Sequence, residues 1–287
     1  MRTILFLFGI LLFQSSQAQV IDDSLQIEGI YRSFHFNQPA KPLKNASLIF
    51  ILHGSGGTGS GAMQRTQKLE ALSATENFLV VYPDGYKHYW NECRKYSTAQ
   101  ANKIDINENA FFTAMIEHFV KDFGIDPKKI FAGGFSGGGH MVYKLALTMP
   151  AAVRAFTAVV ANMPDSASLD CGEARRPIPI MIINGTEDAT NPYNGGEMFV
   201  DNSSFGVVRS TEKTFAYWAT LAGYTGAPQK KQLPDTDPSD KKTIESYSYT
   251  QKGKPEVTLL KVVGGHHDYP NDIDVWVEAW KFFKRQL

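Results

Sequence analysis

The sequence lacks the features that mark two common classes of protein. Its 29 basic residues are balanced by 29 acidic ones, and no basic stripe stands out, which argues against a nucleic-acid-binding surface. Beyond the N-terminal residues, no apolar stretch approaches the ~20 residues of a membrane-spanning helix. The chain has 287 residues, 43% of them hydrophobic, which suffices for one sizeable core. We therefore expect a globular protein without nucleic-acid or membrane-embedded partners, and the sequence does not indicate its oligomeric state.

The first 18 residues differ from the rest. Arg2 is followed by an unbroken apolar run at 4–13, and Ser16 and Ala18 then place small residues where a signal peptidase reads them. The run is too short to cross a bilayer, and no cysteine follows it as a lipid anchor would require. We interpret residues 1–18 as a signal peptide, with an N-terminal anchor or a buried strand as the alternatives. The mature protein is then residues 19–287, secreted or periplasmic.

Cysteine is scarce as well, because Cys93 and Cys171 are the only two in the sequence. In the oxidising compartment that a signal peptide implies, two cysteines often pair. Two buried thiols are the alternative, since pairing depends on a geometry that the sequence does not contain. We predict a disulfide between them.

Apolar runs alternate with helical patterns along the chain. Continuous apolar runs, typical of strands buried on both faces, occur at 47–52, 79–82, 129–135, 156–161 and 178–183. A strand or hairpin arm is expected at 27–36 and late strands at 243–250 and 257–263. Helical spacing occurs at 62–75, 107–123, 138–149, 211–222 and 271–283. This alternation predicts a single-domain α/β fold with a mainly parallel sheet, and the polar residues 228–242 are expected to be a surface excursion.

The strongest motif is Gly134-Phe-Ser-Gly-Gly138, which has the form G-x-S-x-G. It lies between a strand pattern and a helix pattern, the context in which such a serine stands exposed on a sharp turn. Glycines at both ends relieve the crowding of that turn, and the helix N-terminus offers N–H groups to negative charge. The motif predicts that Ser136 is a nucleophile. An ordinary glycine-rich turn with a capping serine is the alternative.

A serine nucleophile needs a base, and the base needs an acid that orients it. Asp188 follows a buried strand pattern, with Glu187 as the local competitor, and His266 and His267 follow the last strand pattern. The order serine, acid, histidine is that of α/β-hydrolases. We therefore predict that Ser136, Asp188 and one of the two histidines meet at the carboxyl edge of the sheet.

A glycine-rich loop follows the first buried strand pattern, and its residues 54–59 fit G-x-G-x-x-G. This is a dinucleotide-binding fingerprint, but the acidic candidate Asp84 lies 30 residues after the first glycine rather than ~20. No lysine follows the third glycine, which excludes a Walker phosphate loop. The other interpretation is an oxyanion hole, formed by the backbone N–H groups of Ser55 and Gly137. We favour the oxyanion hole because it also accounts for the serine motif.

With these motifs, the chain resembles the secreted esterases that include polyhydroxybutyrate depolymerases, feruloyl esterases and acetylxylan esterases. The matching segments lie within about residues 27–285 and are His53–Gly57, Tyr82–Gly85 with Trp90–Asn91, Gly134–Gly138, Asn184–Asp188 with Pro192–Gly196, and Gly264–His267 with Tyr269–Pro270. The resemblance implies an α/β-hydrolase fold with Ser136 as nucleophile and Asp188 as the acid. Spacing from the proline selects His267 as base, whereas spacing from the glycine pair selects His266; we choose His267.

The resemblance also bears on residues around the site. It implies that Trp90 lies near the cleft and stacks on an acyl or sugar group, with core packing as the alternative. Tyr193 is a candidate for lining the site or for packing its loop. Two positions depart from the family: Asn184 stands where histidine is frequent, and His266 where glycine is usual.

These observations predict an exported serine esterase that cleaves carboxylic esters without a cofactor. Feruloyl or acetyl esters of plant polysaccharide are the expected substrates, and polyhydroxybutyrate-type polyesters are the alternative. A catalytically silent hydrolase fold that binds a ligand is an alternative of another class. No metal site is predicted, because the acidic run at 235–240 lacks the glycine and terminal glutamate of a calcium loop.

Overall fold

The computed structural model describes residues 19–200 and 202–287, so the predicted signal peptide at 1–18 lies outside the described residues. The strands in this part of the chain are β1 (Val20–Ile27), β2 (Ile30–Asn37), β3 (Ala46–Leu52), β4 (Phe78–Pro83), β5 (Ile125–Phe135), β6 (Ala155–Val159), β7 (Ile180–Gly185), β8 (Gly196–Val200), β9 (Ser203–Val208), β10 (Gln229–Gln232), β11 (Thr243–Tyr249) and β12 (Val257–Val263). The α-helices are α1 (Gly59–Gln64), α2 (Gln67–Glu76), α3 (Gln100–Lys103), α4 (Glu108–Phe123), α5 (Gly137–Thr148), α6 (Thr211–Leu221) and α7 (Val275–Lys284).

Ten of these strands form one sheet, in the order β1-β2-β4-β3-β5-β6-β7-β12-β11-β10. The six central strands, from β4 to β12, pair in parallel, whereas the strands at both ends pair antiparallel. The carboxyl ends of the parallel strands therefore meet at one edge. The predicted α/β fold with a mainly parallel sheet is confirmed, in a single domain.

Side chains alternate across the central strands and build a core on each face of the sheet. In β3, Leu48 and Phe50 face one core, which α4, α5 and α6 cover. Ile49 and Ile51 face the other, which α1, α2 and α7 cover. Burial on both faces explains why these strands read as continuous apolar runs. In the described residues, no helix combines the length and apolar character needed to cross a membrane.

Apart from shifted boundaries and from α3 and β10, which the sequence did not predict either, the structure differs from the predicted elements in three places. The opening strand is a hairpin, β1 and β2, that turns at Glu28 and Gly29 with positive φ. The helix expected at 62–75 is two helices, α1 and α2. The chain breaks between them at Thr66, whose hydroxyl bonds to the Met63 carbonyl and to the Tyr82 hydroxyl. The third difference is the β8–β9 hairpin, which the sequence did not predict.

The predicted surface excursion at 228–242 contains β10, an edge strand whose residues are all exposed. An exposed edge strand needs no apolar side chains, so its sequence gives no strand pattern. The predicted disulfide between Cys93 and Cys171 is present, with the two Cα atoms 5.2 Å apart. It links the segment that follows β4 to the segment that follows β6.

Candidate active site

Ser136 occupies the sharp turn between β5 and α5. Its φ is 53° and its ψ is −117°, a strained backbone for a residue with a side chain. The turn leaves no room for side chains at its ends, because a Cβ on Gly134 would collide with the Gly138 carbonyl. The Ser136 N–H donates to the Val159 carbonyl at 2.9 Å, which ties the turn to β6. The predicted strand–turn–helix context of the serine is therefore present.

The structure brings three predicted residues together. His267 Nε2 lies 2.8 Å from Ser136 Oγ, and His267 Nδ1 lies 2.7 Å from Asp188 Oδ2. Because an ionised carboxylate only accepts hydrogen bonds, Nδ1 carries the proton in neutral His267 and Nε2 accepts from the serine hydroxyl. This is the arrangement in which an imidazole can take the serine proton.

Asp188 is held in the orientation that this contact needs. Its side chain is fully buried, and its Oδ1 accepts backbone N–H bonds from Thr190 at 2.8 Å and Asn191 at 2.7 Å. Oδ2 remains directed at His267. These two backbone donors balance the charge of the buried carboxylate and were not foreseen from the sequence.

The structure separates the two competing histidines. His266 is exposed, and its Nδ1 lies 3.1 Å from the carbonyl oxygen of Glu187. It contacts neither Ser136 nor the Asp188 carboxylate. The loops after β7 and β12 also approach closely, since a Cβ on Gly185 would collide with the Gly265 carbonyl. Of the two candidates, His267 is the one whose geometry suits a base.

The two predicted oxyanion donors lie side by side. A Cβ added to Gly137 would lie 2.8 Å from Ser55 N and 2.5 Å from Ser55 Oγ. The carbonyl of Gly54, in the same peptide group as Ser55 N–H, accepts from His53 Nδ1 at 2.7 Å and from Gly57 N at 3.0 Å. Because the N–H and C=O of a trans peptide point in opposite directions, these bonds direct Ser55 N–H away from the loop and toward the serine turn.

His53 was not singled out from the sequence, although it immediately precedes the glycine-rich loop. Its Nε2 accepts the Gly85 N–H at 2.9 Å, so Nδ1 carries the proton and donates to the Gly54 carbonyl. Burial lowers the pKa of His53, which favours this neutral form. His53 thereby fixes the orientation of the peptide that carries Ser55 N–H.

Both residues predicted to bind substrate are buried instead. Trp90 is 2% exposed and donates from Nε1 to the His53 carbonyl at 2.9 Å, so it packs in the core and supports the glycine-rich loop. Tyr193 is 5% exposed, and its ring lies 5.4 Å from Lys261 Nζ. This burial favours the packing alternative for both rings, and their contact with substrate stays a prediction.

The structure also accounts for Asp84, the acid of the dinucleotide alternative. Its carboxylate accepts from the Gly59 N–H at 2.7 Å, from the Ser33 hydroxyl at 2.7 Å and from His35 Nε2 at 2.9 Å. Burial opposes ionisation, yet the bonds from His35 and Gly59 lower the pKa of Asp84 to about 2. The carboxylate therefore anchors the start of α1. Within the described residues, no group of three His, Cys, Asp or Glu side chains is arranged to hold a metal ion.

Comparison with known proteins adds independent findings. The model of the phospholipase/carboxylesterase family matches residues 36–215. The chain is 27% identical over 186 residues to a bifunctional acetylxylan esterase/xylanase from Neocallimastix patriciarum, covering 64% of this chain and 25% of that protein. It is 28% identical over 228 residues to feruloyl esterase B from Piromyces equi, covering 78% of this chain and 40% of that protein. The chain thus spans less than half of these two relatives.

Among solved structures, an acetyl xylan esterase from Aspergillus awamori superposes with a TM-score of 0.64 at 15% identity, covering 93% of this chain and 99% of that one. At this identity the similarity concerns the fold.

Proposed function

The chain belongs to the phospholipase/carboxylesterase family, and on that premise we propose that it hydrolyses carboxylic esters through an acyl-enzyme on Ser136. One observation carries the proposal: His267 is hydrogen-bonded to both the Ser136 hydroxyl and the Asp188 carboxylate. Ester hydrolysis through an acyl-enzyme requires a nucleophile, a base and an acid that orients the base. The three residues proposed for these roles lie at the carboxyl edge of one sheet.

In the proposed reaction, His267 Nε2 takes the proton of the Ser136 hydroxyl as Oγ attacks the ester carbonyl. The carbonyl oxygen becomes an oxyanion that accepts from the N–H groups of Ser55 and Gly137. As the tetrahedral intermediate collapses, the C–O bond to the alcohol breaks and His267 returns the proton to the leaving oxygen. Water, deprotonated by the same imidazole, then attacks the carbonyl carbon of the acyl-enzyme. The bond from that carbon to Ser136 Oγ breaks, His267 returns the proton to Oγ, and the acid is released. Throughout, Asp188 holds the Nδ1–H tautomer and stabilises the imidazolium.

We propose acetyl or feruloyl esters of plant polysaccharide as the substrates, because relatives carry the names acetylxylan esterase and feruloyl esterase. Short hydroxyacid polyesters are the second candidate. The Cys93–Cys171 disulfide supports export into an oxidising compartment, as the proposed signal peptide at 1–18 requires.

The test is an ester panel on residues 19–287, measuring release of acetate, ferulate and 3-hydroxybutyrate. Ser136→Ala should lower kcat by about 10⁴-fold or more while circular dichroism and the melting temperature stay unchanged. Ser60→Ala, an exposed serine on α1, is the matched control and should keep full activity.

A fluorophosphonate probe separates the enzyme from a silent binding protein. It should label the wild-type chain and Ser60→Ala but not Ser136→Ala. A folded chain that neither turns over an ester nor accepts the probe would defeat the proposed function. The products of the panel decide between polysaccharide esters and polyesters.

A further inference from the structure

A cavity of about 340 Å³ adjoins the candidate active site. It lies between the glycine-rich loop and the residues that follow His267, and its wall includes Gly54, Ser55, Phe135 and Tyr269. Phe135 directly precedes Ser136, and its ring centroid lies 5.6 Å from that of His267. The cavity therefore adjoins the turn of Ser136 and the proposed oxyanion donor Ser55, and its volume is within the range of about 300–1,000 Å³ for small-molecule sites.

One wall of the cavity is aromatic. The rings of Phe135 and Tyr269 are 4.6 Å apart, and those of Tyr269 and Trp276 are 6.2 Å apart. Trp276 is buried against the sheet, while Tyr269 and Phe135 are partly exposed. A flat apolar or aromatic group can pack along this wall.

Among the described residues, the one charged side chain that lines the cavity is a donor, the guanidinium of Arg65. Arg65 is exposed at the cavity and makes no side-chain hydrogen bond or ion pair within the described residues. Burial raises the pKa of Tyr269 to about 12, so its hydroxyl carries no charge at neutral pH. No acidic residue lines the cavity. Asp274, which immediately precedes α7, accepts the N–H groups of Trp276 and Val277 at the start of that helix and pairs with Lys68 at 3.8 Å.

From this arrangement we propose that the cavity binds the acyl arm of the ester and that, beyond the acetyl and feruloyl esters proposed above, it favours arms with a flat apolar body and a carboxylate at the far end, which pairs with Arg65. The inference rests on the proposed function. The acyl arm is the part of the ester that becomes bonded to Ser136 in the first half-reaction and is released in the second, and the cavity opens beside Ser55 and Phe135. An unpaired guanidinium with no competing carboxylate is suited to an anionic group.

The probes are 4-nitrophenyl esters that differ at one group: 4-carboxybenzoate, which is anionic, and 4-carbamoylbenzoate, which is neutral and similar in shape. Arg65→Gln should lower kcat/KM for the anionic ester about fivefold and leave the neutral ester within twofold. Arg65→Glu should lower kcat/KM for the anionic ester further. Added salt should reduce the preference of the wild-type protein for the anionic over the neutral ester. Comparing each variant with wild type cancels the intrinsic reactivity of the two esters.

Lys121→Gln is the control, because Lys121 is an exposed cation on α4 that does not line the cavity. It should change neither ester by more than twofold. Equal effects of Arg65→Gln on both esters would overturn the inference. A second pair of esters, 4-carboxyphenyl acetate and 4-carbamoylphenyl acetate, carries the same two groups on the leaving alcohol. If Arg65→Gln distinguishes the two esters of this pair but not the two benzoates, the inference is also overturned. Absence of hydrolysis of every ester by folded protein would instead defeat the proposed function, and this inference with it.

Discussion

Replacing Gly137 with alanine tests the proposed oxyanion hole directly. The new Cβ would lie 2.8 Å from Ser55 N and 2.5 Å from Ser55 Oγ. The Ser55 hydroxyl can rotate away, but the backbone nitrogen can retreat only with its loop, by about 0.5–1 Å to reach ordinary contact distance. Two bonds to the Gly54 carbonyl resist that movement, as does the bond of Gly56 N–H to the His88 carbonyl at 2.9 Å.

Two effects of Gly137→Ala on stability oppose one another. Alanine is favoured over glycine in a helix by up to about 1 kcal/mol, whereas the contact with Ser55 costs a comparable amount. We therefore expect a small change in melting temperature. Catalysis should respond strongly, because the loss of one oxyanion donor costs about 10²–10³ in kcat. The assay is steady-state hydrolysis of 4-nitrophenyl acetate.

Gly172→Ala is the matched control, since a Cβ there meets nothing within 4 Å. It should preserve both kcat and stability. If Gly137→Ala folds with a wild-type melting temperature and retains kcat within about threefold, Ser55 N–H is not an oxyanion donor. The inference from the glycine-rich loop to the oxyanion hole would then be wrong.

Three further outcomes are expected. His53→Phe keeps a ring but removes the donor that orients the oxyanion peptide, so kcat should fall about tenfold with KM within twofold in steady-state assays; an unchanged kcat would contradict this role. Cys93→Ser with Cys171→Ser releases a cross-link spanning 78 residues, for which chain entropy gives about 4.5 kcal/mol, so calorimetry should show melting about 10 °C lower. The bond to Asp84 raises the pKa of His35 to about 9, so its stabilisation is complete below about pH 6.5 and lost as the pH rises through 9. Urea titrations at about pH 6 and about pH 9.5 should show a loss of stability that His35→Asn lacks.

The central elements of the fold could be predicted because their sequences carry one dominant signal. In β3 both faces are buried, so Ala46–Leu52 is a continuous apolar run whose interpretation needs no further context. The exposed β10 carries no such signal, because Gln229–Gln232 touches no core. Whether a strand is buried on two faces, on one face or on none thus decides whether it can be recognised in the sequence.

The residues of the candidate site could be predicted for a similar reason. Ser136, Asp188 and His267 each directly follow or closely follow a strong strand pattern, and the fold brings the ends of those strands together. For Trp90 and Tyr193 the sequence left two alternatives open, because an aromatic residue in a loop has the same sequence pattern whether its ring faces the cleft or the core. Only the packing shows that Trp90 supports the His53 carbonyl.

The sheet order explains why residues so distant in sequence meet. Neighbouring strands β3 and β5 end at the same level, with Leu52 paired to Gly134, so the glycine-rich loop and the serine turn leave the sheet side by side. Likewise β7 and β12 pair Gly185 with Val262, so the loops of Asp188 and His267 emerge together. Only β6 separates the two pairs. The proposed oxyanion donor and nucleophile thus come from one pair of strands, and the acid and base from the other. The hydrogen bond between His267 and Ser136 joins the two halves, and any change that shifts β7 and β12 against β5 should lower turnover even with all three side chains intact.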